Sequence, residues 1–267
     1  MNFSFTITLL PWIFFFLFYS SLNAMLIGNP AEPSLQKDGI IASCPSWCSL
    51  RIGYLDDYVY RQRYKEFRVI NEDPAPNSFV KIYTHSAMVT FNLQDRLDLY
   101  GLLGSSRLIL DKEIYTRSNF SWGIGGKILI FKYRNFSLGT DIKYFQSNYS
   151  YVNYLVSEGT PYNVVGPFTL KYDETQVAVG MCYKTDLIAP YINLTYLVSE
   201  IEPDPGIILI RVSPTTLVDS AISSITTQRR WGMAVGATII SSSKATLSVE
   251  SRMFNQNAID VNLEIRF

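Results

Sequence analysis

The chain has 267 residues, enough for one large domain or two small ones, with 48% hydrophobic and 14% aromatic residues. Only 17% are charged, against roughly 25% in ordinary soluble domains, and lysine plus arginine equal aspartate plus glutamate at 23 each. That balance offers no field for a nucleic-acid partner, and a single histidine, His85, leaves little for metal sites or imidazole catalysis.

Residues 1–24 carry no charge and include the apolar run Trp12-Ile13-Phe14-Phe15-Phe16-Leu17-Phe18. The small and polar stretch Ser20-Ser21-Leu22-Asn23-Ala24 follows, which predicts a signal peptide cleaved after Ala24. The alternative is a retained membrane helix, but the run is short for one and no basic flank follows it. No cysteine stands at the cleavage region to accept a lipid. Beyond Ala24 no apolar run approaches the roughly 20 residues of a spanning helix, so a membrane-embedded mature chain must be a closed barrel.

Residues 25–48 read as a leader rich in proline, ending in Cys44-Pro45-Ser46-Trp47-Cys48, and residues 49–267 as the barrel. Leu50, Ile52, Tyr54, Tyr58 and Tyr60 share one parity of a first strand. Phe79 to Leu93 and Leu97 to Leu103 form a hairpin around Gln94-Asp95-Arg96. Phe120, Trp122, Ile124, Ile128 and Ile130 mark the next strand, answered by Phe136, Leu138, Ile142 and Tyr144. Residues 146–167 read as a loop. Thr175 to Tyr183 and Ile192 to Val198 make another pair, joined near Lys184-Thr185-Asp186. Residues 199–226 are a long connection in which Ile207 to Val212 could add a strand. Three tight strands close the chain: Trp231 to Ile239, Ala245 to Met253 and Ile259 to Phe267.

Short turns alternating with long loops describe an outer-membrane barrel. Period-two alternation alone also fits a soluble sandwich, because the two architectures reverse the faces in space but not in sequence. The leader and the aromatics near strand ends, among them Phe120, Trp122, Tyr196 and Trp231, favour the membrane. The expected fold is an all-β transmembrane antiparallel barrel of about 10–16 strands, closed by the C-terminal strand.

Several ordered stretches resemble the chlamydial major outer membrane protein family. Ile27-Gly28-Asn29-Pro30-Ala31-Glu32-Pro33-Ser34-Leu35 is very like that family's opening, and Asp38-Gly39-Ile40, Trp47-Cys48 and Arg51-Ile52-Gly53-Tyr54 follow in its order. Asp95-Arg96-Leu97-Asp98, Pro190-Tyr191-Ile192, Gly232-Met233-Ala234-Val235-Gly236-Ala237-Thr238, Val249-Glu250-Ser251-Arg252 and the final Arg266-Phe267 complete the series. The resemblance implies a porin in the cell outer membrane that passes small solutes and ions by diffusion, as a homotrimer among outer membrane lipids. It also implies that Phe267 ends a signal read by the barrel-assembly machinery. The chain departs from the family in being shorter, with the shortening expected in its long loops, and in having only three cysteines where the family cross-links its envelope through disulfides.

If Phe267 faces lipid, the opposite parity lines the lumen. That assigns Asp98, Lys127, Asp141, Lys143, Glu174, Lys184, Arg230, Glu250, Arg252, Asp260, Glu264 and Arg266 to the pore, both signs together, as in a weakly selective channel. The alternative is that these groups pair across strands and fill a narrow interior. Cys44 and Cys48 are disulfide candidates, with each other or with neighbouring envelope proteins, and Cys182 is the odd thiol. Neither a cofactor nor a metal site is expected, nor an enzyme. A second functional reading is a plugged structural or adhesive barrel whose loops do the binding. Strand number decides between pore and plug.

Overall fold

The computed structural model describes residues 28–36, 47–65, 78–110, 114–150, 154–157, 160–165, 169–204, 207–211, 217–221, 224–242 and 244–267. The signal-peptide reading of residues 1–24 and Cys44 lie outside these residues. In chain order the strands are β1 (Cys48–Tyr64), β2 (Ser78–Leu93), β3 (Leu97–Leu110), β4 (Ile114–Tyr115), β5 (Asn119–Tyr133) and β6 (Phe136–Ser150). Then come β7 (Tyr154–Ser157), β8 (Thr160–Val165), β9 (Thr169–Tyr183), β10 (Ile188–Asp204) and β11 (Ile207–Arg211). Last are β12 (Leu217–Ala221), β13 (Ile225–Thr226), β14 (Trp231–Ser242), β15 (Ala245–Met253) and β16 (Gln256–Arg266).

Ten of these strands close on themselves in the order β1-β2-β3-β5-β6-β9-β10-β14-β15-β16. All pairs are antiparallel, and β16 returns to β1 from Arg51↔Arg266 to Gln62↔Gln256. The C-terminal strand therefore closes the barrel, and the strand number falls at the bottom of the expected range. Every neighbouring pair satisfies its backbone within the ring, which is what a bilayer demands.

The alternation in the sequence becomes two opposite surfaces, and they are inverted relative to a soluble protein. Ile124, Ile142, Leu103, Leu194, Val235 and Leu263 are among the large apolar side chains exposed on the outside. Arg51, Asp57, Glu250, Arg252, Asp260 and Glu264 are buried inside. A soluble protein exposing so continuous an apolar band would aggregate; in lipid the same band is the solvated surface.

Aromatics ring that band at both edges. Toward the long loops, the rings of Tyr58 and Tyr83 lie 4.2 Å apart, those of Trp122 and Tyr144 5.6 Å and those of Tyr196 and Trp231 5.0 Å. Toward the short turns stand Tyr133, Phe136 and Tyr183, all exposed. At that end Gln94 and Asp95 both take φ of 53°, and the Arg96 amide donates to the Leu93 carbonyl at 3.0 Å, closing a type I′ hairpin.

The stretches read as loops are partly strand. β6 continues to Ser150 and β10 to Asp204, and β4, β7, β8, β11 and β12 form a ribbon that hangs from the end of β3. Alternation fades there because these strands leave the lipid band, so neither face has to be uniformly apolar.

Candidate functional site

The barrel interior is the site, and it falls into three tiers. At the long-loop end Leu108, Leu110, Ile114, Phe145, Tyr149, Leu170, Tyr172 and Ile201 form one buried apolar cluster. Its hydroxyls are paired: Tyr149 with Ser106 at 2.6 Å and Tyr64 with Ser199 at 2.6 Å. Among the described residues this packing fills the lumen at that end.

The middle tier is ionic. Arg252 sits fully buried with Asp260 at 3.0 Å, Glu250 at 3.4 Å and Asp57 at 3.7 Å. Lys143 and Glu174 are buried too, and the Tyr172 hydroxyl donates to Glu174. Tyr100 donates to Asp141 at 2.8 Å, with its ring lying across the barrel wall onto Gly125 of the next strand. A Cβ at Gly125 would meet that ring, so one of the two would have to shift.

The lowest tier is a strap. Residues 28–36, with a 3₁₀ turn at Glu32–Ser34, run through the lumen and are bonded to strands on every side. The Gly28 amide donates to Glu250 at 3.1 Å, and Asn193 donates to the Gly28 carbonyl at 3.0 Å. Asn29 donates to the Ala189 carbonyl at 3.2 Å and to Thr238 at 3.0 Å. Glu32 pairs with Lys127 through its carboxylate, and its carbonyl accepts from Arg51 at 3.0 Å. Asn92 donates to the Pro33 carbonyl at 3.1 Å, Gln36 donates to Thr246 at 2.8 Å, and Arg266 donates to the Gln36 carbonyl. The strap presses so closely on β6 that a Cβ at Gly139 would come within 2.6 Å of the Pro30 carbonyl oxygen.

Arg51 is the hinge between strap and wall, since it also pairs with Asp98 and lies 3.3 Å from Glu264. The space around this group is about 20 Å³, room for about one water. No group of residues with metal-ligand composition occurs among the described residues.

All the residues read as pore-lining point inward and are buried, except two. Lys184 belongs to the β9–β10 turn, where its amide donates to the Asn135 carbonyl at 2.7 Å. Arg230 is exposed at the barrel rim and donates to the Tyr196 hydroxyl at 3.2 Å. Lys184 is half-buried beside the inward Cys182, whereas Arg230 stands at a strand end where parity counted from the middle no longer fixes direction. Cys48 opens β1 half-buried, and Cys182 is buried against the strap's Ala31 and Leu35. The sequence reading missed the strap entirely. Its only signal was a cluster of helix and strand breakers, which marks irregular backbone without saying where it goes.

The reading also missed what surrounds His85. Asp56 and Ser105 stand directly opposite it on the flanking strands, and the His85 Nδ1 is 2.9 Å from Asp56. This row faces outward. No hydrogen bond joins Ser105 to His85 among the described residues; the Tyr54 hydroxyl lies 3.3 Å from the His85 Nδ1 instead.

No family model matches the chain. Curated relatives are the major outer membrane porin of Chlamydia trachomatis serovar E, 23% identical over 376 aligned positions covering 93% of this chain and 96% of that protein. The major outer membrane porin of Chlamydia abortus is also 23% identical, covering 92% and 95%. The chain's relatives are the chlamydial major outer membrane porins. Because the alignment spans 376 positions and this chain has only 267 residues, the relatives carry more than 100 residues without a counterpart here. Among solved structures, the outer membrane protease OmpT of Escherichia coli superposes with TM-score 0.42 at 11% identity, covering 82% of this chain and 97% of that one. The translocator domain of the autotransporter NalP of Neisseria meningitidis gives 0.46 at 10%, covering 89% and 92%. The barrel, its inverted surfaces and the porin relatives make the protein a multi-pass β-barrel of the outer membrane.

Proposed function

We propose that this barrel is a closed relative of the major porins, whose resting role in the envelope is structural. The observation that carries this reading is the strap at 28–36, hydrogen-bonded around the circumference beneath an apolar core that fills the other end. The ribbon of β4, β7, β8, β11 and β12 supplies a strand-built surface outside the membrane on which binding could rest. No catalytic role is included, since among the described residues no hydrogen bond activates Ser105 in the outward His85 row.

A second reading, passive diffusion of small solutes, is favoured by the name its relatives bear and by the charged wall. It requires the strap to leave and the apolar cluster at the other end to part. Buried carboxylates at Asp57, Asp98, Asp141, Glu174, Glu250, Asp260 and Glu264 would then face five cations, Arg51, Lys127, Lys143, Arg252 and Arg266. The excess of negative charge would favour cations.

Single-channel recording of the refolded protein in a planar bilayer separates the two. The closed reading expects no stable openings from the native sequence. Lys127→Ala leaves the Glu32 carboxylate buried without its ammonium and loosens the strap alone, so it is expected to stay closed as well while the apolar cluster fills the other end. Stable openings of the native sequence would sink the closed reading and leave diffusion.

A further inference from the structure

The outer wall has a notch just above the girdle on the long-loop side. The β15–β16 turn stops short: β1 pairs with β16 only as far as Gln62↔Gln256 and continues beyond it to Tyr64. Above the turn the wall is closed by the segment 225–230 instead. Ile225–Thr226 pairs with β10, Thr227 bridges to Tyr64, and the Gln228 amide donates to the Arg63 carbonyl at 3.0 Å.

A bulge between Val59 and Arg61 shifts the parity of β1 at this height, turning Arg61 and Arg63 outward and Gln62 inward. Their guanidinium carbons lie 4.3 and 5.8 Å from the Phe79 ring centroid. Arg229 is exposed on the roof. Together with Met253, Phe254 and Asn255 these three arginines line a pocket of about 260 Å³. Among the described residues no carboxylate lines it and Arg61, Arg63 and Arg229 form no ion pair.

We propose that this notch binds the phosphate headgroup of a lipid in the outward-facing leaflet. The height is right: Arg229 stands two residues above Trp231, whose pairing with Tyr196 marks the edge of the hydrocarbon, and long loops mark the outward side. The chemistry is right as well. Guanidinium forks match phosphate oxygens in pairs, and stacking on Phe79 holds two of them in place before binding, so little side-chain freedom remains to be lost. Exposed Phe254, held at a φ of 79°, offers an apolar floor for the carbons that follow the phosphate. A free anion would leave that floor unused.

The test uses the full chain refolded in an uncharged maltoside detergent and titrated with phosphatidic acid, with diacylglycerol of the same chains as control. Native mass spectrometry reads the retained lipid. Phosphatidic acid is expected to stay bound and diacylglycerol to be lost. R61Q/R63Q/R229Q is expected to weaken retention at least about tenfold, the effect of losing one or more charge-assisted hydrogen bonds. K132Q/R134Q, at the opposite end of the barrel, leaves it unchanged. Equal retention by the triple variant would overturn the proposal, as would displacement of the lipid by inorganic phosphate at the lipid's own concentration, which would indicate a free-anion site. If the glutamine triple fails to give a heat-modifiable barrel, R61K/R63K/R229K replaces it; severalfold weaker retention supports the fork geometry, and retention equal to the native sequence overturns it.

Discussion

The two ends of the lumen are closed by different means. The end under the loops is filled by side chains of the barrel strands themselves, Leu108, Phe145, Tyr149 and Tyr172 among them, in one apolar cluster. The end near the short turns is filled by a separate segment, held mainly by hydrogen bonds and the Glu32–Lys127 ion pair. An apolar closure gains from every contact it makes, and cannot open without exposing that surface to water. A polar closure exchanges its bonds for bonds to water at small net cost, so each contributes only about 0.5–1.5 kcal/mol. The first closure is therefore part of the wall, and the second is a removable piece. Between them lies the Arg252 cluster, whose charges have no such exchange available.

That difference can be broken from the middle outward. Arg252→Ala leaves Asp260, Glu250 and Asp57 buried together without their guanidinium, and should cost about 3–5 kcal/mol. The urea midpoint of the folded band on an unheated gel measures it; a midpoint within error of the native one would show that the cluster is hydrated. Leu108→Ala, in the apolar closure, should cost about 2–5 kcal/mol through the cavity it leaves, without any gain in conductance. Outward-facing Leu194→Arg should cost about 2–4 kcal/mol in a bilayer, the expense of a cation on the lipid face. The same change measured in a detergent that solvates the face should shrink, and an unchanged value would place Leu194 outside the hydrocarbon.

How much of this was legible depends on what enforces a pattern. Within the bilayer, lipid on one side and packed charge on the other enforce strict alternation, so Phe120 to Ile130 or Ile259 to Phe267 announce both strand and orientation. Ten strands could be counted on that basis, and Asp98, Lys127, Glu250 and Arg252 could be turned inward. Outside the band nothing enforces parity, which is why Arg230 was misplaced and why β7, β8 and β12 passed for loop. The strap was illegible for another reason. Asn29, Glu32 and Gln36 are bonded to residues 160, 95 and 210 positions away, and no local pattern records a partner so distant. The same holds for the pairing of Asp56 with His85, which depends on a register that only the folded hairpin fixes.

The smallest expected effect is the most discriminating between the two closures. Asn29→Ala removes donors to the Ala189 carbonyl and Thr238, and the acceptor for the Ala31 amide at 2.9 Å that shapes the turn into the 3₁₀ segment. Thr238 keeps Ser248 at 2.9 Å, so only the strap is loosened and the ring of strands stays paired. Global stability should fall by about 1 kcal/mol, in line with lost neutral hydrogen bonds. Amide exchange should report much more: the amides of Ala31, Ser34 and Leu35 should exchange markedly faster while those of β3 and β6 beside the apolar cluster stay protected. If strap and core amides accelerate together, the strap opens only when the barrel unfolds. It would then be a structural filling like the core above it, and the distinction between the two ends would be lost.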